Sequence, residues 1–269
     1  MSMKIDTVSY IGKPVSNSAM FITKKVEHLL GKLESVSNCL IFCENSIIVP
    51  SSLSEKHVFE MSPTPQLQYA KYVTSMAQQL EKSRMERGYE LTNGGYYIGE
   101  NVRIGHNVVI EPFCLIDHDV VIGDNARVLS GSKIRNAIIG RDLTANENSV
   151  IGSYGFTIVS DENGNKMRVP TLGKVVIGDH VEVGMQANIA AGCAGNTVVG
   201  DYVKIDSFAH IGHDATLMQN VEVAAGAIIG GFDIIEKNVF IGMNSTLKNR
   251  ISIGENSVVG MGSVVYKDV

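Results

Sequence analysis

One short stretch of this 269-residue chain, KIDSFAHIGHD, carries two histidines and two aspartates: Asp206, His210, His213 and Asp214. A neutral imidazole can accept a proton from an attacking amine while a nearby backbone N–H binds the oxyanion that forms on a carbonyl. Histidines beside an aspartate are also common structural groups in turns, so these residue types leave a catalytic and a structural interpretation open. The secondary structure that holds these residues helps to decide between the two interpretations.

A repeat of six residues runs through the chain on both sides of this stretch. An aliphatic residue stands at every sixth position from Val199 to Val265, and an earlier run extends from Ile98 to Ile134. This period matches neither an amphipathic helix nor an alternating strand, and ordinary hairpins would not maintain it. It predicts a parallel β-helix in which each hexad supplies one strand and one turn, with about 18 residues in each three-sided coil.

The length of one coil predicts which residues stack on the histidine. Counting one coil at a time, His213 lies under Gly231, and Gly231 lies under Asn249. The backbone N–H of Gly231 is therefore a candidate oxyanion donor next to a candidate base.

The repeat also defines the expected domains. Residues 1–92 lack it and are predicted to form a small α/β cap, with helices over 20–32 and 66–87; residues 93–269 form the β-helix. Strand-like segments on both sides of DENGN predict a hairpin over 152–174 that lies outside the β-helix, and a Gly-rich bulge follows at 190–197. Interruptions of a regular coil are natural positions for the wall of a substrate site.

Composition excludes several classes of function. The formal net charge of −5 gives no electrostatic reason to expect nucleic-acid or membrane binding. The N-terminus lacks the apolar segment of a signal peptide, and no apolar stretch is long enough for a membrane span, so we expect a cytoplasmic protein.

No metal site is expected from the cysteines and histidines. The cysteines lack the spacing of zinc ligands and are interpreted as reduced thiols; they are Cys39, Cys43, Cys114 and Cys193. A zinc site made by His210 and His213 with His118 or His180 is a disfavoured alternative, because their spacing does not match such a site.

Motifs over residues 150–215 resemble those of the hexapeptide-repeat acyltransferases, most closely the UDP-3-O-acylglucosamine N-acyltransferases of lipid A synthesis. They are IGSYGF at 151–156, VPTLGKVVIGD at 169–179 and IGHD at 211–214, and SPTPQLQYAK at 62–71 resembles the family's nucleotide-binding domain. The resemblance implies a left-handed β-helix, a homotrimer with active sites between subunits, His213 as general base aided by Asp206, and Gly231 as oxyanion donor.

Some features depart from that family. Arg250 stands where the family has a second histidine, and Phe21 alone matches its uracil-binding stretch. The sequence stops at Val269, before the position of the family's C-terminal helical extension, which helps to engage acyl carrier protein, and its ending, GMGSVVYKDV, resembles sugar N-acetyltransferases that use acetyl-CoA.

We therefore expect an acyltransferase that moves an acyl group from a thioester to the amine of a nucleotide-activated sugar, in surface polysaccharide or lipopolysaccharide synthesis. Acyl-CoA is favoured over acyl carrier protein as co-substrate, and no bound cofactor is expected. Expected sugar-nucleotide contacts are Phe21, Phe156, His210, Asn249 and Arg250, and expected donor contacts are Lys248, Gly260 and Lys267.

Two alternatives remain open at this point. One is the lipid A enzyme itself, with a long acyl chain on acyl carrier protein. The other is a β-helix without catalytic activity that binds a nucleotide sugar or serves as a scaffold.

Overall fold

The computed structural model describes residues 4–269, which form two compact units. The first contains residues 4–82, Phe156–Gly173 and Cys193–Gly195; the second contains Ser83–Gly155, Lys174–Gly192 and Asn196–Val269. The boundary near Lys82 falls ten residues before the one expected at 92, because Tyr89–Leu91 pairs antiparallel with Tyr97–Gly99 and so joins the β-helix.

The first unit is a parallel sheet with helices. Its strands pair in sequence order: β1 (Thr7–Val8), β2 (Ser18–Ile22), β3 (Leu40–Glu44) and β4 (Val58–Ser62). A 3₁₀ segment spans Lys24–Ser35, and the helices are α1 (Ser51–Ser54) and α2 (Pro65–Met85), whose last residues fall in the second unit. The helix expected over 20–32 is thus wrong in its first part, because Met20 and Ile22 are buried strand residues.

The hairpin belongs to this first unit. Its strands, Ile158–Ser160 and Lys166–Arg168, pair antiparallel. Buried Val169 packs in one cluster with Phe42 and Tyr69 of the sheet and α2, and Val159 and Met167 pack against that cluster. The hairpin therefore buries apolar surface against the cap.

The second unit is a β-helix with three parallel faces. The first face contains Arg103–Ile104, Val121–Ile122, Ala137–Ile139, Val175–Ile177, Thr197–Val199, Thr216–Leu217, Ile234–Ile235 and Ser252–Ile253. The second contains Val109–Ile110, Arg127–Val128, Thr144–Ala145, Glu182–Val183, Lys204–Ile205, Glu222–Val223, Phe240–Ile241 and Val258–Val259. The third contains Tyr97–Gly99, Leu115–Ile116, Lys133–Ile134, Val150–Ser153, Asn188–Ala190, His210–Ile211, Ile228–Ile229, Thr246–Leu247 and Val264–Val265, with Tyr89–Leu91 at its end.

The hexad residues form the core of this unit. Ile205, Ile211 and Leu217 come from the three different faces and are almost completely buried in one cluster. In the later coils each residue pairs with the one 18 positions on, as in the pairing of Ile211 with Ile229. The predicted core and coil length are therefore confirmed.

The turns repeat one backbone conformation. A residue with positive φ recurs at every sixth position, and it is most often asparagine: Asn101, Asn107, Asn125, Asn148, Asn220, Asn238, Asn244 and Asn256. Asparagine tolerates this left-handed conformation better than other side chains with a Cβ. Along one edge the amides also form a ladder, in which Asn220 donates to Asn238 and Asn238 donates to Asn256 (Nδ2 to Oδ1, 3.2 and 3.0 Å).

Candidate active site

The candidate base lies where the chain passes from the third face to the first. The stacked turns at 212–215, 230–233 and 248–251 are called the His213 edge. The pairings of Ile211 with Ile229 and of Ile228 with Thr246 keep the offset of 18, so His213, Gly231 and Asn249 occupy successive levels as predicted.

A carboxylate holds the imidazole of His213. Nδ1 of His213 lies 2.8 Å from Oδ2 of Asp214, and the side chain of His213 is 16% exposed while that of Asp214 is 1% exposed. The backbone N–H of Asp214 donates to Oγ1 of Thr197 at 2.8 Å, which fixes the turn. A carboxylate at Nδ1 favours the tautomer with the proton on Nδ1, and in that tautomer Nε2 is the nitrogen that can accept a proton.

Gly231 lies directly against this ring. A Cβ at this position would lie 2.9 Å from both Cε1 and Nε2 of His213, so the imidazole occupies space that only glycine leaves. Within residues 4–269, the N–H of Gly231 donates to no backbone carbonyl. The structure therefore brings a potential oxyanion donor next to the imidazole atom that would take a proton.

Two larger side chains continue the edge. The ring of Phe232 is edge-on to the ring of His213, with centroids 5.4 Å apart, and the guanidinium carbon of Arg250 lies 3.9 Å from the Phe232 centroid. The structure thus places Arg250, which was predicted as a substrate contact, on the His213 edge. Phe232 was not predicted, although counting one coil of 18 residues from Asp214 places it at this position.

His210 lies on the strand before the turn. Its Nδ1 is 2.9 Å from Nδ2 of Asn188, and burial lowers its pKa, with a smaller contribution from the charge of His213. A lowered pKa keeps His210 neutral at neutral pH, so its contact with the Asn188 amide persists there.

Asp206 lies on a different edge, where the second face turns into the third. Its Oδ1 accepts the N–H of Ser207 at 2.6 Å, and it lines an open groove of about 460 Å³ with Lys204, Glu222 and Phe240 among others. The expectation that Asp206 assists His213 is therefore corrected within this chain. Asp214 occupies the position at the imidazole, because its left-handed backbone (φ 62°) lets neighbouring side chains meet.

The predicted donor contacts divide between two edges. Lys267 stands one level above Asn249, since Leu247 pairs with Val265, and Lys248 precedes Asn249; both lysines are exposed. Gly260 lies on the edge of Asp206 and stacks on Gly242.

The remaining predicted contacts lie in the first unit. The ring of Phe21 is half-buried, 5.3 Å from that of Tyr69, and packs against the cluster that includes the hairpin. Phe156 is 71% exposed, and the guanidinium of Arg168 lies over its ring at 5.0 Å.

The other two histidines of the disfavoured zinc set have partners of their own. Nδ1 of His118 accepts the N–H of Glu100 at 2.8 Å, near the start of the β-helix. His180 lies 3.4 Å from Asp142 and stacks on Tyr202, on another edge.

A buried carboxylate, Asp233, joins two levels of the His213 edge and was also missed from the sequence. It is completely buried, and it accepts the N–H of Gly230 at 2.8 Å and that of Ile251 at 3.1 Å. Burial raises the pKa of Asp233 from 3.8 to about 7, against the opposing effect of these N–H groups. The folded chain therefore binds this proton more tightly than the unfolded chain does.

This raised pKa predicts a loss of stability as the pH rises. The stability that protonated Asp233 contributes is complete below the pKa of this residue in the unfolded chain, near 4, and is lost as the pH rises through about 7. This loss lowers the free energy of unfolding by about 1–4 kcal/mol. Asp233→Asn keeps one acceptor oxygen but cannot titrate, so denaturant unfolding at about pH 5 and about pH 8 should differ less than in the wild type. Asp268→Asn, at an exposed site, is the control; an unchanged pH dependence in Asp233→Asn would contradict the assignment.

Two models of known protein families match regular parts of the β-helix. The model described as bacterial transferase hexapeptide (six repeats) matches residues 101–136 and 196–231, and the hexapeptide repeat of succinyl-transferase matches 234–267.

Similar proteins extend this match. A UDP-3-O-acylglucosamine N-acyltransferase from Coxiella burnetii (strain Dugway 5J108-111) is 30% identical over 189 residues, 61% of this chain and 52% of the relative. One from Hydrogenovibrio crunogenus is 35% identical over 120 residues, 44% of this chain and 34% of that relative. The first match spans about half the length of the relative.

Solved structures show the same architecture. A UDP-N-acetylglucosamine acyltransferase from Bacteroides fragilis 9343 superposes with a TM-score of 0.57 at 26% identity, covering 66% of this chain and 68% of that one. Among residues 4–269, no helix is both long and apolar enough to cross a membrane. The β-helix of this chain therefore matches hexapeptide-repeat transferase models over residues 101–136, 196–231 and 234–267, and its fold is the left-handed parallel β-helix that the repeat and the resemblance predicted.

Proposed function

We propose that this protein is an acyltransferase that moves an acyl group from a thioester to the amine of a nucleotide-activated sugar, in lipopolysaccharide or surface polysaccharide synthesis. The observation that carries the proposal is the contact of His213 with both Asp214 and Gly231 on a hexapeptide β-helix. The names of the relatives support the substrate class, since they act on acylated glucosamine attached to UDP.

The reaction follows from these three residues. The sugar amine attacks the thioester carbonyl, and Nε2 of His213 accepts the proton that the amine loses. The N–H of Gly231 donates to the oxygen that becomes negative, and Asp214 stabilises the imidazolium that forms. The carbon–sulfur bond then breaks, the amide remains on the sugar, and the thiolate takes the proton from His213.

We propose acyl-CoA as donor, bound along the upper levels of the His213 edge. Lys267 and Lys248 are exposed there and offer point charges to phosphate, and the backbone N–H groups of the last coils would hold the pantetheine arm. Phe21 and Phe156 remain predicted contacts of the nucleotide sugar, together with His210 and Asn249.

We also propose a homotrimer. Asp206 and Gly260 occupy one edge and His213 another, so a closed cyclic assembly would bring different edges of neighbouring subunits together. The groove beside Asp206 would then face the His213 edge of a second copy. Light scattering that shows a stable monomer at micromolar concentration would contradict this part of the proposal.

The second candidate is N-acylation of a UDP-3-O-acylglucosamine with an acyl chain delivered by acyl carrier protein. The names of the Coxiella and Hydrogenovibrio relatives favour it. Purified protein incubated with acetyl-CoA and UDP-amino sugars, and separately with acyl carrier protein thioesters and UDP-3-O-acylglucosamine, distinguishes the two when thiol release and product mass are measured. Binding without acyl transfer in either assay would favour the non-catalytic alternative.

A further inference from the structure

Arg250 is held in place at the candidate active site by an aromatic ring. Its guanidinium carbon lies 3.9 Å from the Phe232 centroid, and that ring is 5.4 Å from the ring of His213. A cation over a ring face gains from the ring quadrupole, while the N–H groups at its rim remain able to bind a ligand. The side chain is exposed, so a ligand can reach it.

The nearby carboxylates are engaged with other groups. Among residues 4–269, no acidic side chain forms an ion pair with Arg250. Asp268, one level above, accepts the N–H of Ser252 at 2.8 Å. Asp233 is buried and accepts backbone N–H groups, and Asp214 contacts His213. The guanidinium is therefore a positive charge at the site without a carboxylate counter-ion in the described part of the chain.

We propose that Arg250 determines substrate specificity by binding an oxyanion, a carboxylate or a phosphate, that one of the two substrates carries close to its reacting group. The inference rests on the proposed function and names a property of its substrate. The Phe232 ring lies between the imidazole of His213 and the guanidinium of Arg250 and is close to both. An anion bound by Arg250 would therefore lie a few bonds from the reacting nitrogen or carbonyl of the substrate. Arginine matches such a group because its planar fork donates two parallel hydrogen bonds.

The anion has two possible sources, and matched ligand pairs distinguish them. For the donor the pair is succinyl-CoA and butyryl-CoA, which differ in a terminal carboxylate. For the acceptor the pair is a UDP-amino sugar with a carboxylate at C6 and the same sugar with a hydroxymethyl group there. Calorimetric titration of each ligand alone, without its co-substrate, measures affinity independently of turnover.

We expect the wild type to bind the acidic member of one pair about 10- to 100-fold more tightly than the neutral member, and Arg250→Gln to lose this preference. The pair that shows the preference identifies the source of the anion. Arg250→Lys, which keeps the charge but not the planar fork, should retain part of it, and this variant remains informative if Arg250→Gln fails to fold.

Lys237→Gln is the matched control, because it removes an exposed positive charge beside Asn238 on the neighbouring edge. It should leave the preference unchanged. Equal affinities within both pairs in the wild type, or a preference that survives in Arg250→Gln, would overturn the proposal. A preference that depends on Arg250 in a protein that transfers no acyl group would instead reject the proposed reaction while leaving the anion site intact.

Discussion

His213→Ala is expected to lower kcat by about 10²- to 10⁴-fold, the usual contribution of a positioned general base. The variant removes Nε2, the side-chain atom next to Gly231 that is proposed to accept the amine proton. KM should change less, because the imidazole contributes mainly to the transition state. Steady-state kinetics with saturating donor and acceptor measure both quantities.

Folding should survive this substitution. His213 is a partly exposed turn residue, whereas the fully buried Ile211 beside it supports the coil. The thermal unfolding midpoint and the oligomeric state are therefore expected to match the wild type. His210→Ala is the control, since His210 contacts Asn188 and not the predicted oxyanion site; its effect on kcat should be smaller.

A small loss of kcat in His213→Ala would indicate that the reaction needs no general base. A bound sugar amine that passes its proton directly to the departing thiolate needs no base, and the loss in kcat would then be less than about tenfold. That result, in a folded oligomer that still binds substrate, would reject the role of His213 and leave acyl transfer possible. Loss of the oligomer or of thermal stability would favour a structural role instead.

The sequence predicted the position of His213 relative to Gly231 because a repeat of fixed length converts sequence separation into spatial level. Once each coil has about 18 residues, stacking follows by counting. Arg250 was instead predicted as a substrate contact from the resemblance, because it stands where the family has a second histidine; counting places it two levels above Asp214. In a repeat fold, local spacing therefore determines long-range neighbours.

The partner of His213 could not be predicted by that counting. Residues 213 and 214 are adjacent in a turn, and counting coils gives the level of each residue but not the direction of its side chain. Asp214 has a left-handed backbone conformation, and its carboxylate lies at Nδ1 of His213. The repeat alone does not predict this contact. Asp206 was a reasonable expectation but lies on another edge.

Parts of the chain without the repeat were predicted less well. Met20, Phe21 and Ile22 were assigned to a helix, yet they belong to a central strand of a parallel sheet. Short apolar runs of this kind suit a buried strand and a buried helix equally, so periodicity cannot separate them. The hairpin was located from its turn residues, but its packing against the cap depends on distant residues such as Tyr69.

Asp214→Asn is expected to lower kcat by about 10²- to 10³-fold, because an amide cannot stabilise an imidazolium as a carboxylate does. The amide also offers N–H groups to Nδ1, which would favour the tautomer that protonates Nε2 and blocks proton transfer. Asparagine is well suited to the positive φ at this position, so the backbone should remain folded. Kinetics and circular dichroism on the same preparation check both parts.

Asp206→Asn is the matched control, since it makes the same chemical change in a turn on a different edge of the β-helix. Because its Oδ1 accepts the N–H of Ser207, which an amide oxygen also can, we expect kcat to fall by less than about fivefold. A large loss in Asp206→Asn with a small loss in Asp214→Asn would reverse the assignment. It would mean that the imidazole is activated by a carboxylate from a neighbouring subunit, since within one chain the carboxylate at His213 is that of Asp214.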